Sequence, residues 1–190
     1  MAVDSHKSKV ALFFGSFNPI HKGHYAILKY LCDCGYFESV RIIVSPQNPL
    51  KSPLSTSKEE RLKEVSEAIA RCGLNVEISD VEFHIRRPLY TIKTLRYLRI
   101  HEPENEHILI IGSDNLAILD KWHKWEELIN EFEIWVYPRD GFDSQALCDK
   151  YNEISSLKKI RLIDSQLCNI SSTMIREGEA KGEDMSKLKL

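Results

Sequence analysis

The chain has 190 residues and is 43% hydrophobic, 28% charged and 9% aromatic, which suits one globular domain and excludes a collagen, a disordered chain or a disulfide miniprotein. Lys and Arg number 26 against 28 Asp and Glu, so the formal charge of −2 disfavours a broad basic face for nucleic acid. Five cysteines without a CxxC pair suggest neither a zinc site nor a disulfide framework, and fit a reducing compartment such as the cytoplasm.

Residues 1–9 read as a polar N-terminal tail without the apolar stretch of a signal peptide, followed by a single domain over 10–190. Val10 to Phe14 is a buried-strand run. After a loop of Gly, Ser, Asn and Pro, the apolar residues Ile27, Leu28, Leu31 and Cys32 take helical spacing. Val40 to Val44 predicts a second strand, and Pro46, Pro49 and Pro53 hold the following segment in a loop. Ser57 and Glu60 form a capping box that opens a helix with a buried stripe at Leu62, Val65 and Ile69 and a stop at Gly73. A third strand is expected near Val76 to Ile78, and Ile92, Leu95 and Leu98 predict a helix after Tyr90.

His107 to Ile111 reads as the fourth strand, and Trp122, Trp125, Leu128 and Ile129 as one face of a helix. Phe132 to Tyr137 predicts a fifth strand, stopped by Pro138. A helix at Ser144 to Tyr151 and a strand at Ile160 to Ile163 complete the series. The tail after Arg176, rich in Gly, Lys and Glu, reads as a frayed end. Strands alternating with helices at the spacing of βαβ units predict one α/β domain with a mainly parallel sheet flanked by helices. No apolar run approaches the roughly 20 residues needed to span a bilayer.

Ligands in such sheets sit beyond the carboxyl ends of the strands, so the loops after strands one, two, four and six should carry the chemistry. The first of these runs Gly15-Ser16-Phe17-Asn18-Pro19-Ile20-His21-Lys22-Gly23-His24. Gly15 allows close backbone approach to a ligand, and His21 and His24 stand three apart at a helix start. Two imidazoles beside the N–H groups of a helix N-terminus suit an anion; a partly exposed pair, or a pair of metal ligands, is the alternative. Ser171 to Thr173 is a second helix opening with hydroxyls, and Arg176 follows on the same face.

The H-x-G-H spacing after a G-S-F-N-P turn resembles the signature of the nucleotidyltransferase superfamily, whose members join a phosphate-bearing substrate to the α-phosphate of a nucleoside triphosphate. Four further segments narrow the resemblance. Ser45-Pro46-Gln47-Asn48-Pro49-Leu50-Lys51, Arg87-Pro88-Leu89-Tyr90-Thr91, Ile111-Gly112-Ser113-Asp114-Asn115-Leu116 with Trp122 after it, and Ile170-Ser171-Ser172-Thr173-Met174-Ile175-Arg176 follow in the order seen in bacterial nicotinate-nucleotide adenylyltransferases. The resemblance covers Val10 to Arg176 and implies a Rossmann-like fold.

The resemblance also implies adenylyl transfer from ATP, with Mg²⁺ carried on its phosphates and none held by protein side chains, to nicotinate mononucleotide in NAD synthesis. Gly15, Ser16 and Phe17 would approach the nucleotide, His21 and His24 its phosphates, and Gly112 and Asp114 its ribose. Ser172, Thr173 and Arg176 would hold the triphosphate, with His21, His24 and Arg176 catalytic. The mononucleotide would meet Asn18, Lys51, Tyr90, Thr91 and the ring of Trp122. Leu89 and Lys93 stand where relatives more often carry Ser and Asp, and the segment after Arg176 is shorter than in many of them. Nicotinamide mononucleotide or phosphopantetheine are rival acceptors, and a nucleotide-binding regulator without turnover is the rival from another class. A nicotinamide-dependent oxidoreductase is disfavoured, because Gly15-Ser16-Phe17-Asn18 offers no GxGxxG. No nucleic acid or membrane partner is expected, and a homo-oligomer is compatible with the reading.

Overall fold

The computed structural model describes residues 7–46, 56–164 and 170–190. Its strands are β1 (Ser8–Gly15), β2 (Ser39–Val44), β3 (Glu77–Ser79), β4 (Asn105–Gly112), β5 (Ile134–Tyr137) and β6 (Ile160–Leu162). Every neighbouring pair is parallel, in the order β3-β2-β1-β4-β5-β6. The helices are α1 (Lys22–Asp33), α2 (Lys58–Cys72), α3 (Val81–His84), α4 (Thr91–His101), α5 (Ser113–Leu116), α6 (Trp125–Glu131), α7 (Ser144–Ile154) and α8 (Ser172–Ala180).

Side chains on a strand alternate between faces, and β1 shows how the sheet uses this to build two cores. Ala11 and Phe13 join Ile27, Leu28 and Leu31 of α1 and Val65 and Ile69 of α2. Val10 and Leu12 go to the opposite face, with Leu95 and Leu98 of α4 and Leu128 and Ile129 of α6. A strand covered on both sides has no polar positions to spare, which is why β1 and β4 read as unbroken apolar runs. The helix ends follow from local chemistry. Ser57 and Glu60 form the expected capping box on α2, and Gly73 ends that helix in the left-handed region at φ 66°. Asp143 caps α7 through the Ala146 N–H.

Three expectations change. Trp122 does not share a helix face with Trp125: a 3₁₀ turn at Leu119–Lys121 ends at Trp122, and α6 begins only at Trp125 after Lys124 takes a positive φ of 56°. The two tryptophans therefore sit on different elements. The tail after Arg176 is not frayed: α8 runs on to Ala180, and the chain then returns so that Lys189 pairs with His21 in an antiparallel bridge. Gly178 makes that return possible, since a Cβ there would lie 1.7 Å from Cε of Met185. The fifth strand starts at Ile134, two residues late, because α6 runs to Glu131 and Phe132 is its C-cap, with its N–H held by Leu128 O.

At the amino ends of β2 and β4, away from the loops expected to carry chemistry, Glu102 collects charged partners. It accepts from Arg41 Nη1 at 2.9 and 3.0 Å and from Asn105 at 2.9 Å, and His107 Nε2 lies 3.1 Å away. Arg41 also reaches Glu77 at 2.8 Å. Burial is the largest influence on His107 and holds its imidazole below the usual range despite the carboxylate beside it. Removing the carboxylate leaves Arg41 with Glu77 alone and the buried His107 imidazole without its partner, so Glu102→Ala should lower stability by about 1 to 3 kcal/mol in urea unfolding. A loss under about 0.5 kcal/mol, the range of an ordinary surface substitution, would show that water already replaces the network.

Candidate active site

β1 and β4 lie side by side, but β1 leads on to β2 and β4 to β5, so the chain departs in opposite directions at their carboxyl ends. This switch point opens a crevice, and the loops after β1 and β4 line it. Gly15 closes β1 and the chain turns sharply. Phe17, at φ 46°, folds its ring back beneath that turn, where a Cβ on Gly15 would stand 2.9 Å from it. Packing of Phe17 requires a glycine here, and Gly15 also lines the cavity described below. The Phe17 ring is 2% exposed and packs edge-on to Phe13 and His24, so only its backbone can face a nucleotide.

His21 is the N-cap of α1, and the two histidines cap each other. His21 Nδ1 accepts from the His24 N–H at 3.4 Å, and His24 Nδ1 accepts from the His21 N–H at 3.2 Å. Each Nδ1 is then an acceptor, which places the remaining proton of each neutral ring on Nε2. The rings stack at 3.6 Å. His21 is 1% exposed, and burial, reinforced by Arg139, lowers its pKa to about 4. Near neutral pH it is an uncharged N–H donor.

The loop is held from outside through its carbonyl oxygens. Ser172 Oγ donates to Pro19 O at 2.9 Å, and Arg176 Nη1 donates to Asn18 O at 2.6 Å. Arg176 Nη2 also reaches Thr173 Oγ1 at 3.1 Å, while Ser171 caps α8 by accepting from Met174 N. The opening of α8 and the first loop are thus in direct contact. Asn18 is buried; its Oδ1 accepts from Thr56, and its Nδ2 has no partner among the described residues. An orphaned donor in this crevice is a ready ligand contact.

After β4, Gly112 is needed because a Cβ would meet Asp114 Oδ1 at 2.2 Å and the Tyr137 ring at 2.9 Å. Asp114 stands half-exposed at the crevice, 4.0 Å from Arg139 Nε. Arg139 was outside the sequence expectations, which passed over the loop after β5. It donates to Ile170 O at 3.2 Å, and its backbone N–H binds Ser113 Oγ. The cation following Pro138, at the carboxyl end of a parallel strand, was the available signal.

A cavity continues from Gly15 and Ser16 to Leu89, Tyr90, Thr91, Trp122 and His123. Tyr90 caps α4 without a side-chain bond to its first turn, so the N–H groups there face the cavity end of the helix uncapped. Its ring stacks on His123 at 4.1 Å. Trp122 Nε1 is buried and has no partner among the described residues. Lys93 Nζ donates to Arg86 O at 2.5 Å and so staples the loop before α4. Glu82, also unanticipated, lines the cavity and accepts from Thr94 Oγ1 at 2.8 Å, and burial pushes its carboxyl up. Lys51 lies outside the described residues. Among those residues no group of three or more His, Cys, Asp or Glu could hold a metal ion, and no helix is long and apolar enough to cross a membrane.

Residues 12–178 match the cytidylyltransferase-like family. A Bacteroides fragilis protein is 43% identical over 94% of this chain and 86% of its own length. One from Bacteroides thetaiotaomicron is 38% identical over 96% and 87%. Both carry the name "Probable nicotinate-nucleotide adenylyltransferase". The nicotinic acid mononucleotide adenylyltransferase of Plasmodium falciparum, solved in complex with NaAD, superposes with a TM-score of 0.77 at 18% identity, over 94% of this chain and 87% of that one, and shares the fold. With kinship in sequence along nearly its whole length, the chain belongs to the cytidylyltransferase-like family and, within it, to the nicotinate-nucleotide adenylyltransferases.

Proposed function

We propose that the protein transfers the adenylyl group of ATP to nicotinate mononucleotide, releasing pyrophosphate, as one step of NAD synthesis. The observation that carries this reading is the reciprocal His21–His24 cap at the N-terminus of α1, on a loop whose Asn18 carbonyl is held by Arg176 of α8 and whose Gly15 and Ser16 line the Tyr90–Trp122 cavity. A phosphate oxygen of the mononucleotide forms the new bond to the α-phosphorus, the bond from that phosphorus to the bridging oxygen breaks, and pyrophosphate leaves with the electron pair. No protein nucleophile is required, so the residues act by positioning and by stabilising charge.

His21 and His24 offer their Nε2–H groups to the α-phosphate oxygens, and the α1 N-terminus adds its partial positive charge. Arg176 and Arg139, with the hydroxyl of Thr173, hold the triphosphate, and Asp114 accepts from ribose hydroxyls. A divalent ion such as Mg²⁺ would neutralise charge on the leaving phosphates. On the acceptor side, Trp122 stacks on the pyridine ring, the N–H groups of Thr91 and its neighbour receive the carboxylate, and Asn18 and Lys51 take the phosphate.

His24→Ala should reduce kcat by roughly 10² to 10⁴, the range for a lost transition-state donor, with a smaller change in ATP binding. Near-normal kcat in the folded variant removes His24 from this role.

An N–H-lined pocket favours a carboxylate over an amide, whose NH₂ would oppose the helix donors at a cost of about 1 to 3 kcal/mol. Acceptor assays should therefore give kcat/KM for nicotinate mononucleotide at least about tenfold above the nicotinamide form. Trp122→Ala should depress both while leaving the ratio nearly unchanged. Equal use of both mononucleotides by the wild type, or preference for another acceptor, refutes the acid-selective pocket.

The neutral state of His21 sets a pH signature. Its folded pKa, near 4, lies below the unfolded value of about 6.5, so its contribution to stability is complete above pH 6.5 and is lost as pH falls toward 4. The full loss is about 3 kcal/mol. Asn keeps a good N-cap, so His21→Asn should flatten this part of the stability profile in urea titrations at successive pH values. An unaltered slope means that His21 titrates normally.

A further inference from the structure

Arg61, on the second turn of α2, is the largest fully buried side chain among the described residues, 1% exposed and without an acidic partner within ion-pair distance there. Backbone carbonyls hold two of its three guanidinium nitrogens, and Nε is buried without a partner among the described residues. Nη1 donates to Ser16 O at 2.9 Å and Ser45 O at 2.7 Å, and Nη2 donates to Pro46 O at 2.5 Å. Ser16 belongs to the loop after β1; Ser45 and Pro46 begin the segment after β2 that leads toward Lys51. Thr56, just ahead of α2, adds a second tie to the first loop through Asn18 Oδ1 at 3.1 Å.

A buried cation is costly to desolvate, and an apolar residue fills the space under a helix at no such cost. Its use here demands a task that a planar fork alone performs: joining carbonyls of two separate loops in one fixed geometry. Because C=O and N–H of a trans peptide unit point oppositely, holding Ser16 O also aims the Phe17 N–H the other way. Among the described residues, Ser45 N adds a direct tie by donating to Gly15 O at 2.8 Å.

We infer that Arg61 is a positioning residue that ties Ser16 in the loop after β1 to Ser45 and Pro46 just past the end of β2, fixing the loop that carries both the nucleotide-facing backbone and Asn18 on the acceptor side, and with it the alignment of the attacking phosphate with the α-phosphorus. This rests on the adenylyl-transfer reading above. Arg61 touches neither substrate, so its loss acts on the alignment of bound reactants more than on their binding. Misplacement on the order of 1 Å costs about 10²-fold in rate.

The test is steady-state kinetics of the full chain with ATP and nicotinate mononucleotide, alongside circular dichroism to give the folded fraction. Arg61→Met should lower kcat about 100-fold, and Arg61→Lys, which keeps the charge and three donors but not the fork, about tenfold. Both KM values should stay within about threefold of wild type, because binding contacts are retained. A kcat loss that vanishes after scaling to folded protein, or KM values that rise while kcat holds, overturns the proposal. If Arg61→Met does not fold, Arg61→Lys decides: wild-type kcat there overturns it. No turnover by the wild type overturns the adenylyl-transfer reading and this inference with it, whereas turnover by wild type and Arg61→Lys alike overturns the inference alone.

Discussion

Parallel pairing of β1 with β4 is the constraint from which the site follows. The two strands run in register from Ser8 opposite Asn105 to Phe13 opposite Ile110. Parallel neighbours need crossover helices, and those must cover both faces of the sheet for the apolar strands to stay dry. Consecutive crossovers from β1 build one side and those from β4 the other. The chain cannot then close the gap above the two strand ends, and the crevice is a geometric residue of packing. Phe17 and Gly112 fit the loops to that gap: one ring fills the hollow beneath Gly15, and the bare Cα of Gly112 clears Asp114 and Tyr137.

Net charge says little about such a site. The chain is slightly acidic as a whole, yet the crevice collects the N-termini of α1, α4 and α8 with Arg139 and Arg176. Many acidic side chains are committed elsewhere. Glu102 holds Arg41, Glu131 holds Arg96 and Arg99, and Glu133 faces Arg161 and Lys159. Helix ends supply partial positive charge without adding side chains to the count, and His21 contributes as a donor while staying neutral. A crevice built this way attracts anions in an otherwise unremarkable electrostatic surface.

Sequence patterns located most of the scaffold because its determinants are local. Ser57 and Glu60 cap α2 by hydrogen bonds to each other's backbone, and Val10 to Phe14 is apolar because both neighbours of the strand are. The His21 and His24 pair was equally legible, since N-cap and N3 positions are fixed by spacing. Trp122 was misplaced because helical periodicity counts residues and does not see the break at Lys124, where a left-handed backbone separates two turns. The docked tail was missed for a different reason. Lys189 is joined to His21 across a long stretch of sequence, and nothing in its composition records the bare surface of Gly178 that receives Met185. Arg139 and Arg61 were hidden because a half-buried or buried cation looks, in sequence, like a solvated one.

The first loop is held through its carbonyl oxygens. Ser16 O goes to Arg61, Asn18 O to Arg176 and Pro19 O to Ser172, while Ile170 O, beside the start of α8, goes to Arg139. The grips on the loop come from α2 once and from α8 twice, and each takes an oxygen. A peptide unit held by its oxygen presents any N–H on the opposite side, so gripping carbonyls orients donors without touching them. The loop has few intrinsic preferences to impose this geometry, beyond Pro19 and the histidine cap. Donors at a phosphate must be in place before the ligand arrives if they are to stabilise its transition state more than its ground state. The order of the loop between β1 and α1 is therefore imposed by distant residues, and its function is encoded in α2 and α8 as much as in its own sequence.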